Sequence, residues 1–176
     1  MADDFRIVSM DQRNAGRSTA PIRARDGWDS YTADQAALLD HLGIERCHVL
    51  GACIGCSYAF GVHENRDAFY QMFDGWAANM KQRQDGLDDD PLAPFRESMY
   101  GGEFVFNVNR DFVRGLDTPL LVLAGNDLYH PAPVAREIVQ FAPNAELVES
   151  WKDADAVVPT IERVRGFLAA NTPVAA

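Results

Sequence analysis

Residues 46 to 58, Arg46-Cys47-His48-Val49-Leu50-Gly51-Ala52-Cys53-Ile54-Gly55-Cys56-Ser57-Tyr58, decide how this chain is read. A β-type run over 46–50 meets a turn framed by Gly51 and Gly55, and a helical pattern opens from Cys53 to about His63. A strand–turn–helix of this kind lifts its middle residue onto a sharp corner at a helix start, and small flanking residues let neighbouring backbone come close. The middle residue is Cys53. The positive end of the helix favours its thiolate over the thiol, which is how a fold presents a nucleophile. The competing reading is a glycine-rich βα turn around an inert cysteine.

Outward from this corner, the other segments alternate between strand and helix. Phe5 to Met10 predicts a strand, and Asp11 to Arg25 a loop punctuated by Gly16 and Pro21. Thr32 and Gln35 form a candidate capping box for a helix whose apolar side is Ala36, Leu38, Leu39 and Leu42, ended by Gly43. Phe69, Met72, Phe73, Trp76 and Met80 repeat at helical spacing. An acidic connector, Asp85 to Asp90, leads to a short helix over Leu92 to Tyr100, broken by Gly101-Gly102. Residues 103–114 fit either period. Leu120 to Ala124 predicts a parallel strand covered on both faces. A helix over 133–141, a strand over 145–150 and a helix over 157–169 follow, the last with Ile161, Val164, Phe167 and Leu168 inward. Strands separated by helices predict an α/β parallel sheet.

Composition narrows the function classes. The chain has 176 residues, 47% hydrophobic and 10% aromatic, which predicts one packed domain. A formal charge of −10 opposes binding to a nucleic-acid backbone. No apolar run reaches the roughly 20 residues that span a bilayer, and no basic-then-apolar leader opens the chain. The expectation is a cytoplasmic protein without membrane or nucleic-acid partners. Three cysteines within ten residues do not make a disulfide framework.

Taken together, the motifs resemble the α/β-hydrolase family. Met10-Asp11-Gln12-Arg13-Asn14-Ala15-Gly16-Arg17-Ser18 is similar to that family's Asp-x-Arg-Gly-x-Gly-x-Ser loop after its fourth strand. Leu38 to Ile44 resembles the helix leading to the nucleophile strand, and Gly51-x-Cys53-x-Gly55 resembles the elbow with cysteine for serine, as in the dienelactone-hydrolase branch. Pro119 to Gly125 with Asp127 resembles the seventh strand and its acid-bearing loop, and Ala145 to Trp151 the eighth strand. The resemblance implies a reduced α/β-hydrolase-like parallel sheet flanked by helices, lacking the family's first strands and its sixth. It implies a single domain over 1–176, with 64–114 as a helical lid-like insertion whose Phe69–Met80 and Phe104–Phe112 stretches roof the site. Uncovered sheet flanks would favour a homodimer.

Carried onto these residues, the family's chemistry is hydrolysis of a small ester or lactone through a Cys53 thioester, with no cofactor or metal. The backbone N–H of Ile54 would be one oxyanion donor, and the loop around Asn14 to Gly16 a candidate second. The family's histidine should follow the eighth strand, yet Trp151 to Thr160 contains none. Of the four histidines, His41 lies on a surface helix, His48 in the strand before the elbow, and His63 about 15 Å from Cys53 by helix rise. His130 lies in Gly125-Asn126-Asp127-Leu128-Tyr129-His130-Pro131, at the strand ends where sites assemble. His130 is therefore the expected base and Asp127 its orienting acid. Two other readings stay open. Cys53-Ile54-Gly55-Cys56 is also a C-x-x-C of thiol-oxidoreductase type, and the missing histidine suits a degenerate scaffold serving as a binding module. A metal held by Cys47, His48, Cys53 and Cys56 is disfavoured, because neighbours on a strand point to opposite faces.

Overall fold

A computed structural model describes residues 3–51, 66–102, 108–127 and 130–173. Its described helices and strands are α1 (Trp28–His41), α2 (Arg66–Arg83), α3 (Leu92–Tyr100), α4 (Arg110–Arg114), β1 (Leu120–Leu123), α5 (Ala132–Phe141), β2 (Ala145–Val148) and α6 (Val157–Ala170).

β1, α5 and β2 form a βαβ unit. The two strands are parallel, with Leu120 opposite Ala145 and Leu123 opposite Val148. Bonds from Leu120 N–H to Asn144 O and from Ala124 N–H to Val148 O, both 2.9 Å, carry the pairing past each end. Val134 and Ile138 of α5 are buried with Val113 and Ala142, and Leu120, Val122 and Ala145 pack against them. β1 is half-buried rather than enclosed on both faces. Arg136 ties α5 to the chain after β2 through two bonds to Glu149, at 2.9 and 2.7 Å. That bidentate pairing raises the Arg136 pKa and lowers that of Glu149.

The expected strands over 5–10 and 46–50 are absent, and the sheet among the described residues has two strands. Val49 and Leu50 are 85% and 78% exposed. An apolar run marks a propensity for sheet, but a parallel strand forms only where a neighbour offers a ladder and a helix covers it. These two segments instead meet each other and the chain just after α6. The Phe5 and His48 rings make an edge contact at 5.9 Å, and His48 Nε2 lies 2.8 Å from Thr172 Oγ1.

A second core is helical and aromatic. Trp28, Phe69, Phe73, Ala77, Leu92, Phe95, Met99 and Tyr100 form one buried cluster. Phe69 stacks on Tyr100 at 5.5 Å, and Phe95 meets Phe73 and Trp76 edge-on at 5.3 and 5.6 Å. Such offset and edge geometries are those that aromatic quadrupoles favour. The stripe on α2 is therefore core, with Ala77 in it and Met72 exposed. Between residues 64 and 114 the described helices are α2, α3 and α4, and Phe112 lies on the surface.

Two helix details depart from the expected pattern. α1 begins at Trp28 with Gly27 as N-cap and no side-chain cap bond, so Thr32 and Gln35 are interior residues rather than a capping box. Burial of Trp28, whose Nε1–H donates to Met99 O at 2.8 Å, fixes the earlier start. Ala36 is exposed and Leu38, Leu39 and Leu42 are half-buried. On α6 Thr160 is the buried residue, while Ile161 faces outward.

Candidate active site

The loop that follows β1 turns back on itself. Asp127 and His130 form an isolated antiparallel bridge, and His130 N–H donates to Asp127 Oδ1 at 2.9 Å and to Asp127 O at 3.2 Å. His130 Nδ1 lies 2.7 Å from the same Asp127 Oδ1. A carboxylate only accepts, so Nδ1 carries the hydrogen and Nε2 keeps its lone pair in the neutral ring. Nε2 is shielded from solvent and has no hydrogen-bond partner among the described residues. An imidazole held this way is oriented by an acid on one side and offers a bare basic nitrogen on the other.

Neighbouring residues frame the pair. Lys152 Nζ stands 3.7 Å from Asp127 Oδ2 and 5.1 Å from the centre of the Trp151 ring. Trp151 Nε1–H donates to Ala124 O at 2.7 Å, tying the chain after β2 to the end of β1. Both loops leave the C-terminal ends of their strands, the edge where α/β sheets place their sites. The side chains are partly open: His130 is 26% exposed and Asp127 44%.

The predicted partners of this pair, Cys53 and Ile54, lie outside the described residues, as do Cys56 and His63. Among the other histidines, His41 is exposed and His48 is hydrogen-bonded to Thr172. The structure thus brings Asp127 and His130 together within one loop. It adds Lys152, which the sequence reading missed. Its signal was a cation directly after the second strand-end tryptophan, at the same sheet edge as Asp127.

The Asp11–Asp26 loop is built around buried polar groups. Arg13 bonds Asp34 through Nε and Nη2, both at 2.7 Å, and approaches Asp26 at 3.5 Å. This fork raises the Arg13 pKa and lowers that of Asp34, the hydrogen bonds being the leading cause of each. Asp26 is 3% exposed and accepts from Arg23 N–H at 2.9 Å. Gly16 has φ +52°, and any side chain there would collide with the Asp11 carboxylate. That carboxylate accepts from Arg17 N–H at 3.0 Å. Asn14, considered as an oxyanion donor, is buried with its Oδ1 accepting from Ala20 N–H at 2.9 Å and Gln84 Nε2 at 3.1 Å. Ala15 N–H is bonded to Gln12 O at 2.9 Å. Those groups hold the loop together.

With this geometry in place, the chain can be set beside known proteins. Residues 1–62 match the family model of the alpha/beta hydrolase fold. That span contains the Asp11–Ser18 loop and the Gly51-x-Cys53-x-Gly55 sequence motif, while Asp127 and His130 lie beyond it. A small parallel sheet flanked by helices is compatible with a reduced member of that fold. No solved structure matches the chain. No described helix is long and apolar enough to cross a membrane. No three His, Cys, Asp or Glu side chains among the described residues are grouped to hold a metal.

Proposed function

We propose that this chain hydrolyses small esters or lactones through a thioester on Cys53. One observation carries the reading: at the strand-end edge the Asp127–His130 pair leaves a solvent-shielded Nε2 that no described residue bonds. The match of residues 1–62 to the hydrolase fold supports it, since that span holds the Gly51-x-Cys53-x-Gly55 motif.

In the proposed cycle His130 Nε2 takes the Cys53 thiol proton and the thiolate attacks the acyl carbon. The Ile54 backbone N–H donates to the oxyanion, a contribution of about 3–4 kcal/mol in comparable sites. Collapse of the tetrahedral adduct breaks the acyl–oxygen bond, and the leaving alkoxide takes the proton from His130. Water then attacks the thioester, its proton passing to His130 as the thiolate departs. Asp127 holds the ring and stabilises the imidazolium in both halves. A thiol has a reference pKa near 8.5, lowered at a helix start, so it asks less of its base than an alcohol does. No cofactor enters the cycle.

The test is intact-mass measurement after mixing with p-nitrophenyl acetate. One acetyl group is expected on Cys53, with a burst of p-nitrophenol that Cys53→Ala abolishes. Unchanged turnover in Cys53→Ala refutes the mechanism. A second reading, a binding module on a degenerate hydrolase scaffold, is favoured by the absence of histidine from Trp151 to Thr160. It predicts neither burst nor adduct.

A further inference from the structure

We infer that Gly125 is a positioning residue for His130, keeping open the space that lets the ring reach Asp127. The inference rests on the proposed role of His130 as base and adds a residue to it. β1 ends at Leu123, and Ala124 stays bonded to β2 through Val148 O at 2.9 Å, so position 125 is anchored to the sheet. The loop folds back within five residues, closing the Asp127–His130 bridge. A Cβ at position 125 would fall far inside van der Waals contact with both Cβ and the carbonyl oxygen of His130. Gly125 does not occupy the left-handed region, which among the described residues holds Asn14, Gly16, Gly43 and Gly86. Its backbone therefore accepts an L-residue, and only the space taken by His130 forbids one. Since the sheet holds one side of the collision, His130 is the partner that moves.

The consequence is directional. Gly125→Ala pushes the His130 backbone away from Asp127 Oδ1, which accepts both the backbone N–H and the ring Nδ1–H of that residue. Losing this geometry frees the ring to take either tautomer and exposes Nε2 to water.

The experiment is long-range ¹H–¹⁵N correlation of the His130 ring in the full chain at a pH where it is neutral, together with the acyl burst. Wild type should show Nδ1 protonated and Nε2 bare. Gly125→Ala should show a mixture of tautomers and acylate about 10²-fold more slowly, the lower end of what a general base contributes. Gly166→Ala, on an α6 position with open space around it, should match wild type in both. An unchanged Nδ1–H signature in Gly125→Ala overturns the inference, as does a wild-type ring without that signature. If Gly125→Ala fails to fold, Gly125→Ala/His130→Gly removes the Cβ collision and lets the carbonyl swing away. Recovery of folding then supports the contact, and failure to recover overturns it. A tautomer change without any wild-type burst would leave Gly125 in its role while refuting ester hydrolysis.

Discussion

Replacing Asp127 with Asn tests the pair at its most informative atom. Oδ1 accepts the His130 backbone N–H at 2.9 Å and Nδ1–H at 2.7 Å, and Oδ2 faces Lys152 at 3.7 Å. Asn retains an oxygen acceptor in the same place, so the substitution removes charge with little change of shape. A hydrogen bond to a charged group contributes about 1.5–3 kcal/mol and a neutral one about 0.5–1.5, so each bond weakens by about 1 kcal/mol. Water competes at both half-open side chains, which brings the total stability loss to about 1 kcal/mol. The rate term differs, because only the Nδ1 bond strengthens as the ring gains its proton during acylation. A loss of about 1–1.5 kcal/mol there slows the burst about tenfold. Stopped-flow release of p-nitrophenol, with urea unfolding at unchanged m-value, reads the two terms separately. A burst within twofold of wild type, alongside the expected fall in stability, would show that Asp127 shapes the loop without assisting His130.

Other outcomes follow from the packing and the charge network. The Arg13 fork holds the Asp34 carboxyl below its ordinary pKa of 3.8. Its stabilisation is therefore complete above that pH and is lost as pH falls through the lower, folded value. Asp34→Asn should lower stability at pH 7 by about 1–2 kcal/mol and flatten the acid limb of a urea-midpoint against pH plot; an unaltered limb would show the fork to be inert. Phe69→Ala, at a fully buried aromatic position, should cost about 3–5 kcal/mol in chemical denaturation; a cost under 1 kcal/mol would mean the aromatic cluster is loosely packed. Gly16→Ala combines a left-handed backbone with a collision against Asp11, and should lower the unfolding free energy by at least about 1 kcal/mol. A neutral result would show that the loop can be rebuilt around a side chain.

The βαβ unit was legible because β1 is an unbroken apolar run and α5 repeats its apolar positions at helical spacing, signals that local chemistry produces. The extents of α3 and α6 were legible as well, and for α2 the apolar repeat from Phe69 to Met80 marked a helix without fixing its ends. The segments over 5–10 and 46–50 misled because sheet membership depends on a neighbour that the segment itself does not encode. The start of α1 was misplaced because a buried indole 71 residues from its carbonyl partner overrode a local capping signal. Met72 and Ile161 sit at the edges of their apolar stripes, where periodicity is weakest at telling inside from outside. At the candidate site, the placing of Asp127 and His130 in one loop at a strand end could be read from the sequence. Lys152 and the tightness at Gly125 could not, since each depends on two distant or folded-back stretches meeting in space.

The aromatic cluster and the βαβ core share no residue, and the Asp127–His130 loop is rooted in the second of them. The lifetime of the assembled imidazole is thus governed by how often the strand pair opens. Hydrogen exchange should sort the amides into two families with separate opening energies. Anyone engineering the molecule could then raise its melting temperature through Trp28, Phe69 and Phe95 while leaving the Asp127–His130 edge chemically as it was.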